Sequence, residues 1–450
     1  MQFSKVSTVL APPKFVYDWH ARDGAFNRLL PPWESVKIMD TVGPFDERFT
    51  QLQMKRFGIA MNWLAQHVDV VPGQEFTDIQ VKGPFKSWRH THQFLPLSDI
   101  RTKMIDTIDL RLPLHFVSKL FGGWSLKRDI IRMLNYRHEI LKHDLKLLND
   151  HPLEPQVIGI TGASGMIGQH LTHFLKAAGH TVKHFVRKDR PDWSHEICWD
   201  PEVGIMGDFS DLNVIIHLAG ESIASPIRWD QQKKNRIRRS RVRSTQAIVT
   251  QLSEMTHQVH TFICASAVGI YSSSQQPKTE AGPKGDRFLS KVVADWEAAC
   301  DPIRDSIRVV NARFGTVLHP SGGVVKRLNP LMKLGALGRV GRGDQYTSWV
   351  SLDDAIRSVY FMIANQALTG PVNVVAPHPQ TQLDWIKEWA KAVIRPAVAP
   401  LPETVVSNVM GEMGEELLLQ SLRVVPKKLM AAQFPFQLTT MRDVCHFYKL

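Results

Sequence analysis

Over the first 150 residues, short runs of alternating apolar and polar positions are broken by Gly and Pro. This period-two pattern marks strands with one covered face. Phe3 to Leu10 alternates in this way until Ala11-Pro12-Pro13 ends it. Pro13 to Ala21 and Gly24 to Leu30 read as two short helices, closed by Pro31-Pro32-Trp33. Strands are then expected over Val36–Val42, Lys55–Ile59, Trp63–Val70, Glu75–Gln80, Ser87–Pro96 and Thr102–Leu110. The period changes at Trp124. From there to Leu148, apolar residues from Leu126 and Ile130 through Leu141, Leu145 and Leu148 recur at helical spacing. One long amphipathic helix is predicted, with its aspartates and lysines on the solvated face. Asp150 to Pro155 follows as a linker, since Pro152 and Pro155 stop the helix and hold the chain extended.

From Val157 onward, short apolar strands alternate with helical stretches, the pattern of a doubly wound α/β sheet. Strands are expected at Val157–Thr161, Thr181–Val186, His195–Trp199, Asn213–Leu218, Thr261–Ser266, Ile307–Ala312 and Gly370–Val374. Helices are expected at Gln169–Ala178, Asp230–Glu254, Phe288–Cys300 and Leu383–Val393, and Asp353 and Asp354 read as a helix cap. The first of these strands runs into Gly162-Ala163-Ser164-Gly165-Met166-Ile167-Gly168. Glycine tolerates the dihedrals of such a turn, and it lets backbone N–H groups at a helix N-terminus approach a pyrophosphate. About 20 residues further on, at the end of the second strand, an acidic residue would suit NAD. Arg187 stands there instead, a planar cation suited to the 2′-phosphate of NADP, although Asp189 is close by. Ala219 and Gly220 end another strand and are small enough to admit the adenosine half of a dinucleotide.

Four separated stretches carry a resemblance: Thr161 to Gly168, His217-Leu218-Ala219-Gly220-Glu221, Ser266-Ala267-Val268-Gly269-Ile270-Tyr271, and Trp349 to Asp354. Together they resemble the extended short-chain dehydrogenase/reductase family. More narrowly they resemble an atypical, epimerase-like branch with a C-terminal domain of unknown function, whose ending Gly411 to Lys428 matches. Some members of that branch are called cell-division-inhibitor-like, and some carry a START-like domain in front. The pattern of residues 1–150 resembles the START-like (polyketide-cyclase) helix-grip fold. The resemblance implies an α+β ligand-binding domain over 1–150, a linker at 151–156, a Rossmann-like domain over 157–395, and a C-terminal lobe over 396–450. It also implies NADP(H) bound by Gly162, Ala163, Ser164, Gly165, Met166, Ile167, Gly168, Arg187, Leu218, Ala219, Gly220, Arg241 and Val317.

Active members of the wider family use a Tyr-x-x-x-Lys pair and a Ser. The Lys lowers the pKa of the Tyr, which otherwise stays near 10 and is a poor base. This chain departs from the pattern at all three places. Depending on the anchor, the Tyr position falls on Leu289 or Arg287, and the Lys position on Val293 or Lys291. The Ser position falls on Ala267, with Ser266 one residue early. Tyr271 and Ser266 remain as candidate catalytic residues; the bland alternative for Tyr271 is packing. Two functions follow: an oxidoreductase or epimerase acting on an apolar or amphipathic small molecule, or a non-catalytic NADP(H)-dependent sensor.

The net charge of +12 invites anionic partners. Its densest run, Lys233 to Arg243, has seven cations in eleven residues. It lies on the helix leaving the cofactor edge and has no interleaved aromatics, so a solvated face is expected there, not nucleic-acid binding. Gly335 to Gly343, with Arg339 and Arg342, reads as a basic loop near the substrate side. Four cysteines without paired spacing argue against a disulfide framework or zinc site and fit a reducing cytoplasm. No apolar run approaches a membrane span, and Met1 to Lys5 lacks the apolar core of a secretory signal. Trp88, His90, His92 and Phe94 share one strand face. Two histidines at i and i+2 offer metal donors, but no third ligand is evident in the sequence. An aromatic sheet face is therefore expected, without metal.

Overall fold

The computed structural model describes residues 1–56, 58–112, 123–187, 194–225 and 227–450. It comprises two compact units, Met1–Pro152 with Lys176–Gly179, and Leu153–Leu175 with His180–Leu450.

The first unit is one antiparallel sheet and a long helix. Its strands are β1 (Gln2–Val9), β2 (Ser35–Val42), β3 (Phe49–Arg56), β4 (Ile59–Val71), β5 (Glu75–Lys82), β6 (Ser87–Ser98) and β7 (Arg101–Arg111), in spatial order β1-β7-β6-β5-β4-β3-β2. Short helices α1 (Pro13–Ala21) and α2 (Ala25–Arg28) follow β1, and α3 (Gly123–Asp150) closes the unit. Ile130 and Leu134 of α3 pack on Phe3, Ile108 and Leu110 of the sheet, the helix-grip arrangement. Two expectations are corrected. Lys55–Ile59 is where β3 turns into β4, and the strand itself lies earlier. Its buried face offers little apolar signal, because only Leu52 is buried amid Thr50, Gln51 and Gln53. The aspartates of α3 are not all solvated either. Asp144 is fully buried, and Arg28 of α2 donates to it from Nε at 2.7 Å and Nη2 at 3.0 Å.

In the second unit the chain forms β8 (Val157–Thr161), β9 (Thr181–Val186), β10 (Glu196–Asp200), β11 (Ile205–Met206), β12 (Val214–His217), β13 (Thr261–Ala267), β14 (Ser274–Lys278), β15 (Arg308–Phe314), β16 (Thr316–Leu318), β17 (Tyr346–Thr347), β18 (Trp349–Ser351) and β19 (Gly370–Val374). Eight of these make the main sheet in the order β11-β10-β9-β8-β12-β13-β15-β19, parallel except at β11. The principal helices are α4 (Met166–Ala177), α5 (Gln231–Glu254), α6 (Phe288–Ala298), α7 (Gly323–Lys333) and α8 (Leu352–Ala364). The chain leaves β8 for β9 on one side and later returns to β12 on the other. That is a topological switch point, and open α/β sheets bind ligands at the carboxyl ends of the strands beside one.

Two further details differ from expectation. Helix α4 starts at Met166, not Gln169, because Gly168 is taken into its first turn. The cap of α8 is Ser351, whose Oγ accepts from Asp354 N at 3.0 Å; Asp353 and Asp354 occupy the first turn. Among the described residues, no helix is long and apolar enough to cross a membrane.

Candidate functional site

The switch point is built from the carboxyl ends of β8 and β12. Gly162 follows β8 with φ +66°, left-handed backbone that favours glycine. A Cβ there would lie 2.9 Å from Ala219 N and from the Leu218 carbonyl, so the two strand-end segments touch through bare backbone. At Gly168 a Cβ would meet the Gly162 carbonyl oxygen at 2.5 Å. The turn is closed by Gly165 N donating to Gly162 O at 2.9 Å. Ser164 and Gly165 are exposed at its tip, while Ala163 and Gly168 are buried beneath it.

A polar network behind the turn holds the two strand ends in register. Thr161 Oγ1 accepts from Leu218 N at 3.0 Å and Ala219 N at 3.1 Å, and lies 2.7 Å from His217 Nδ1. With both amides donating to it, the Thr161 hydroxyl donates its own proton to Nδ1. His217 Nε2 then carries the hydrogen facing Ser244 Oγ on α5, at 3.2 Å. Burial holds this imidazole neutral, its pKa drawn down to about 3.

The other positions expected around a cofactor gather here. The Met166 side chain abuts Gly322 and Gly323, and Gly323 is packed against the carbonyl of Val317 in β16. Leu218 and Ala219 are half-buried and Gly220 is exposed. Arg241 of α5 lies directly under Gly220, 3.3 Å from where a Cβ would stand. Its Nη2 donates to the Glu221 carbonyl at 3.0 Å and its Nη1 to the Ile237 carbonyl at 3.1 Å. The guanidinium packs over Trp296, and burial draws its pKa down to about 10. Arg241 thus braces the β12 loop from below. Arg187 is exposed immediately after β9, which pairs with β8, so it stands at the same sheet edge. Asp189, the acidic alternative, lies outside the described residues.

Tyr271 and Ser266 are brought together, but inside the protein. Tyr271 is fully buried. Its hydroxyl donates to Asn373 Oδ1 at 2.7 Å and accepts from Arg313 Nη1 at 2.7 Å. Arg313 in turn makes a two-pronged pair with Glu297, both contacts 2.7 Å, and Ser266 Oγ donates to Glu297 Oε1 at 2.6 Å. Burial raises the Tyr271 pKa, outweighing the opposite pull of Arg313. A phenol so placed has both hydrogen-bonding directions spent and is a weaker acid than free tyrosine. Of the positions the family uses for catalysis, Val293 is buried beside Tyr271, and Lys291 is exposed.

Several pairings in this region carried no signal in the sequence. Glu297 and Arg313 lie 16 positions apart and meet only when α6 packs on the sheet. Glu221 pairs with the buried Lys233 at 2.5 Å, across the turn into α5. The rest of the basic run is largely neutralised: Lys234 meets Glu412 at 2.8 Å, Arg238 meets Asp295 at 2.8 Å, and Arg239 meets Glu202 at 2.6 Å. The Gly335–Gly343 loop is likewise tied down, by Gly341 N to Leu401 O and Leu401 N to Arg339 O, and Arg342 lies 3.3 Å from Asp344.

Comparison with known proteins places this geometry. The profile of the NAD dependent epimerase/dehydratase family matches residues 158–375. That of polyketide cyclase / dehydrase and lipid transport matches 9–135, and a domain of unknown function (DUF1731) matches 401–446. The epimerase family protein Mb2239 of Mycobacterium bovis is 38% identical over 291 residues, spanning 64% of this chain and 95% of that protein. This chain belongs to the epimerase family. Epimerase family protein YfhF of Bacillus subtilis is 34% identical, over 62% of this chain and 93% of its own length. Among solved structures, a nucleoside-diphosphate sugar epimerase from Corynebacterium glutamicum superposes with a TM-score of 0.79 at 29% identity, covering 99% of this chain and 90% of that one. The human epimerase family protein SDR39U1, solved with NADPH, gives 0.60 at 29% identity, over 64% of this chain and 97% of that one. Within the epimerase family, then, this chain carries the helix-grip unit and the Rossmann-like unit together.

Proposed function

We propose that the second unit binds NADP(H) at the β8–β12 switch point, with the 2′-phosphate on Arg187. The observation that carries this reading is the bare-backbone cradle at Gly162, where any side chain would collide with the Leu218–Ala219 backbone. Such a cradle lets peptide N–H groups of the turn face a pyrophosphate at the N-terminus of α4. The solved human relative with NADPH supports the same choice of cofactor. Bound there, a nicotinamide dinucleotide supplies a hydride donor or acceptor. The residues of this chain bind and orient it: Gly162 to Gly168 from beneath, Leu218 to Gly220 and Val317 from the flanks, and Arg241 by fixing the loop that carries Gly220.

The reaction this supports is oxidation–reduction or epimerisation of an apolar or amphipathic small molecule. A second reading, a non-catalytic NADP(H)-dependent sensor, is favoured by one observation. The Tyr271 hydroxyl is consumed by Arg313 and Asn373 and cannot shuttle a proton without breaking that network. The deciding experiment titrates the full-length protein with NADPH and NADH, wild type against Arg187→Ala. A charge-assisted phosphate contact is worth about 1.5–3 kcal/mol, so NADPH affinity should fall roughly 10–100-fold while NADH affinity holds. Failure of the wild type to bind either nucleotide would overturn the proposal. Tyr271→Phe then separates the two readings. Turnover lost with binding kept identifies an enzyme that uses Tyr271, and unchanged behaviour assigns the phenol to packing.

A further inference from the structure

We propose that the face of the first unit's sheet that carries His90 and His92 is a binding site for a divalent first-row transition metal, held by His90, His92 and Asp78. The proposal concerns the first unit alone and is independent of the nucleotide reading. His90 and His92 lie two positions apart on β6, so both rings leave the same face of the strand. The neighbouring strand β5 sets Asp78 directly opposite His90. One donor atom from each of the three residues falls within 4.8 Å of the other two. His92 Nε2 is 3.4 Å from Asp78 Oδ2. With metal–ligand bonds of about 2.0–2.2 Å, two donors on one ion stand at about that separation.

The orientation of His92 suits coordination. His92 Nδ1 is 2.8 Å from Asp106 Oδ1, a carboxylate that only accepts, so Nδ1 carries a hydrogen and Nε2 is the nitrogen left to face Asp78. A carboxylate behind a histidine in this way is the usual support of a metal ligand. On the other side, His67 Nε2 lies 2.9 Å from Asp78 Oδ1, leaving Oδ2 toward the histidines. His90 and His92 are 4% and 1% exposed, and neither Nε2 makes a hydrogen bond among the described residues. His90 Nε2 lies 3.7 Å from Asp106 Oδ2, beyond hydrogen-bond reach, and His92 Nε2 lies 3.4 Å from Asp78 Oδ2 without bonding to it. Buried polar atoms are ordinarily paired, so His92 Nε2, facing Asp78, needs a partner that the side chains do not supply.

The donor set narrows the metal. Two imidazoles and one carboxylate, without thiolate, suit zinc, iron(II), cobalt(II), nickel(II) or manganese(II), and not calcium or magnesium, which prefer all-oxygen shells. Three protein ligands leave coordination positions open to water or a small molecule, as in catalytic sites. His138 of α3 stands behind this arrangement, its Nε2 3.2 Å from Asp106 Oδ2 and its Nδ1 2.7 Å from Ser7 Oγ. It sets the helix beside the same carboxylate that supports His92.

The test uses the full-length chain stripped with a chelator and titrated with Co(II), then with Zn(II) in competition. One equivalent of Co(II) per chain with visible ligand-field bands, displaced by one equivalent of Zn(II), is expected for the wild type. Asp106→Asn should weaken binding about 10–100-fold, as loss of an outer-shell partner does. The double substitution His90→Gln with His92→Gln should abolish it. Uptake of neither metal by the wild type, or stoichiometric uptake that survives the double substitution, would overturn the proposal. Should the double variant lose its fold by circular dichroism, X-ray absorption of the zinc-loaded wild type decides. Imidazole scattering from two ligands supports the site, and an oxygen-only shell refutes it. Anaerobic loading with Fe(II) against Zn(II) then distinguishes which metal the site prefers.

Discussion

At the residue scale, the sharpest constraint lies at Gly162, where positive φ and the closeness of the β12 backbone act together. Gly162→Ala meets both, and strain of this kind costs about 1–3 kcal/mol. Thermal denaturation should show a clear drop in Tm, and NADPH affinity should fall at least tenfold. Gly165→Ala offers the contrast. Its φ is not positive, and its Cβ would meet only the Gly162 carbonyl oxygen at 3.2 Å, so a small stability change is expected in the same assay. Tyr271→Phe removes one hydrogen bond each from Arg313 and Asn373 in a buried place, leaving Asn373 Oδ1 without its donor. About 1–3 kcal/mol should be lost in chemical denaturation, with NADPH affinity within twofold of wild type. The glycine turn was readable from the sequence because its signal is local: a strand, a turn and a helix start. The commitments of Tyr271 were not readable, because Arg313 and Asn373 lie 42 and 102 positions away.

At the scale of elements, the second unit is joined by charges that cross between helices and strands. Arg313 of β15 and Glu297 of α6 are 4% and 8% exposed and pair twice. Glu297→Gln leaves a buried guanidinium without its counter-charge, a loss of about 3–5 kcal/mol. The denaturation midpoint measures it directly. The N-terminus of α6 shows the same principle. Glu416, from the C-terminal segment, accepts from Phe288 N at 3.0 Å and Leu289 N at 2.9 Å, so a residue 127 positions distant caps the helix. Periodicity found the helix, but no local residue announced its cap. On α5 the pairing of Lys233, Lys234, Arg238 and Arg239 with carboxylates removes most of the free charge that nucleic acid would need. Fluorescence anisotropy with a duplex should therefore show only weak binding at physiological salt, and replacing Arg238 and Arg239 by Gln should leave it unchanged. Tight binding weakened by those substitutions would contradict the ion-paired reading.

At the scale of the whole molecule, buried neutral histidine couples stability to pH. His217 has its pKa drawn down to about 3 by burial, against 6.5 in an unfolded chain. Between those values the unfolded chain binds a proton that the folded protein refuses. The stabilisation is complete above about pH 6.5 and is lost as pH falls, by about 1.4 kcal/mol per unit. Urea denaturation at pH 7 and pH 5 should show the decline, and His217→Asn should make it shallower. The glycine turn, the αβ alternation and the long closing helix were all determined by the sequence alone. Each rests on spacing within some 20 residues, where backbone geometry converts sequence order directly into position. Packing decided the rest: the burial of Tyr271 and Ser266 in one ion-paired network, the pairing of Asp144 with Arg28, and the meeting of Asp78 with His90 and His92. These contacts join residues on separate strands and helices, and hydrophobic periodicity records only which face of an element is covered, not which side chain of another element covers it.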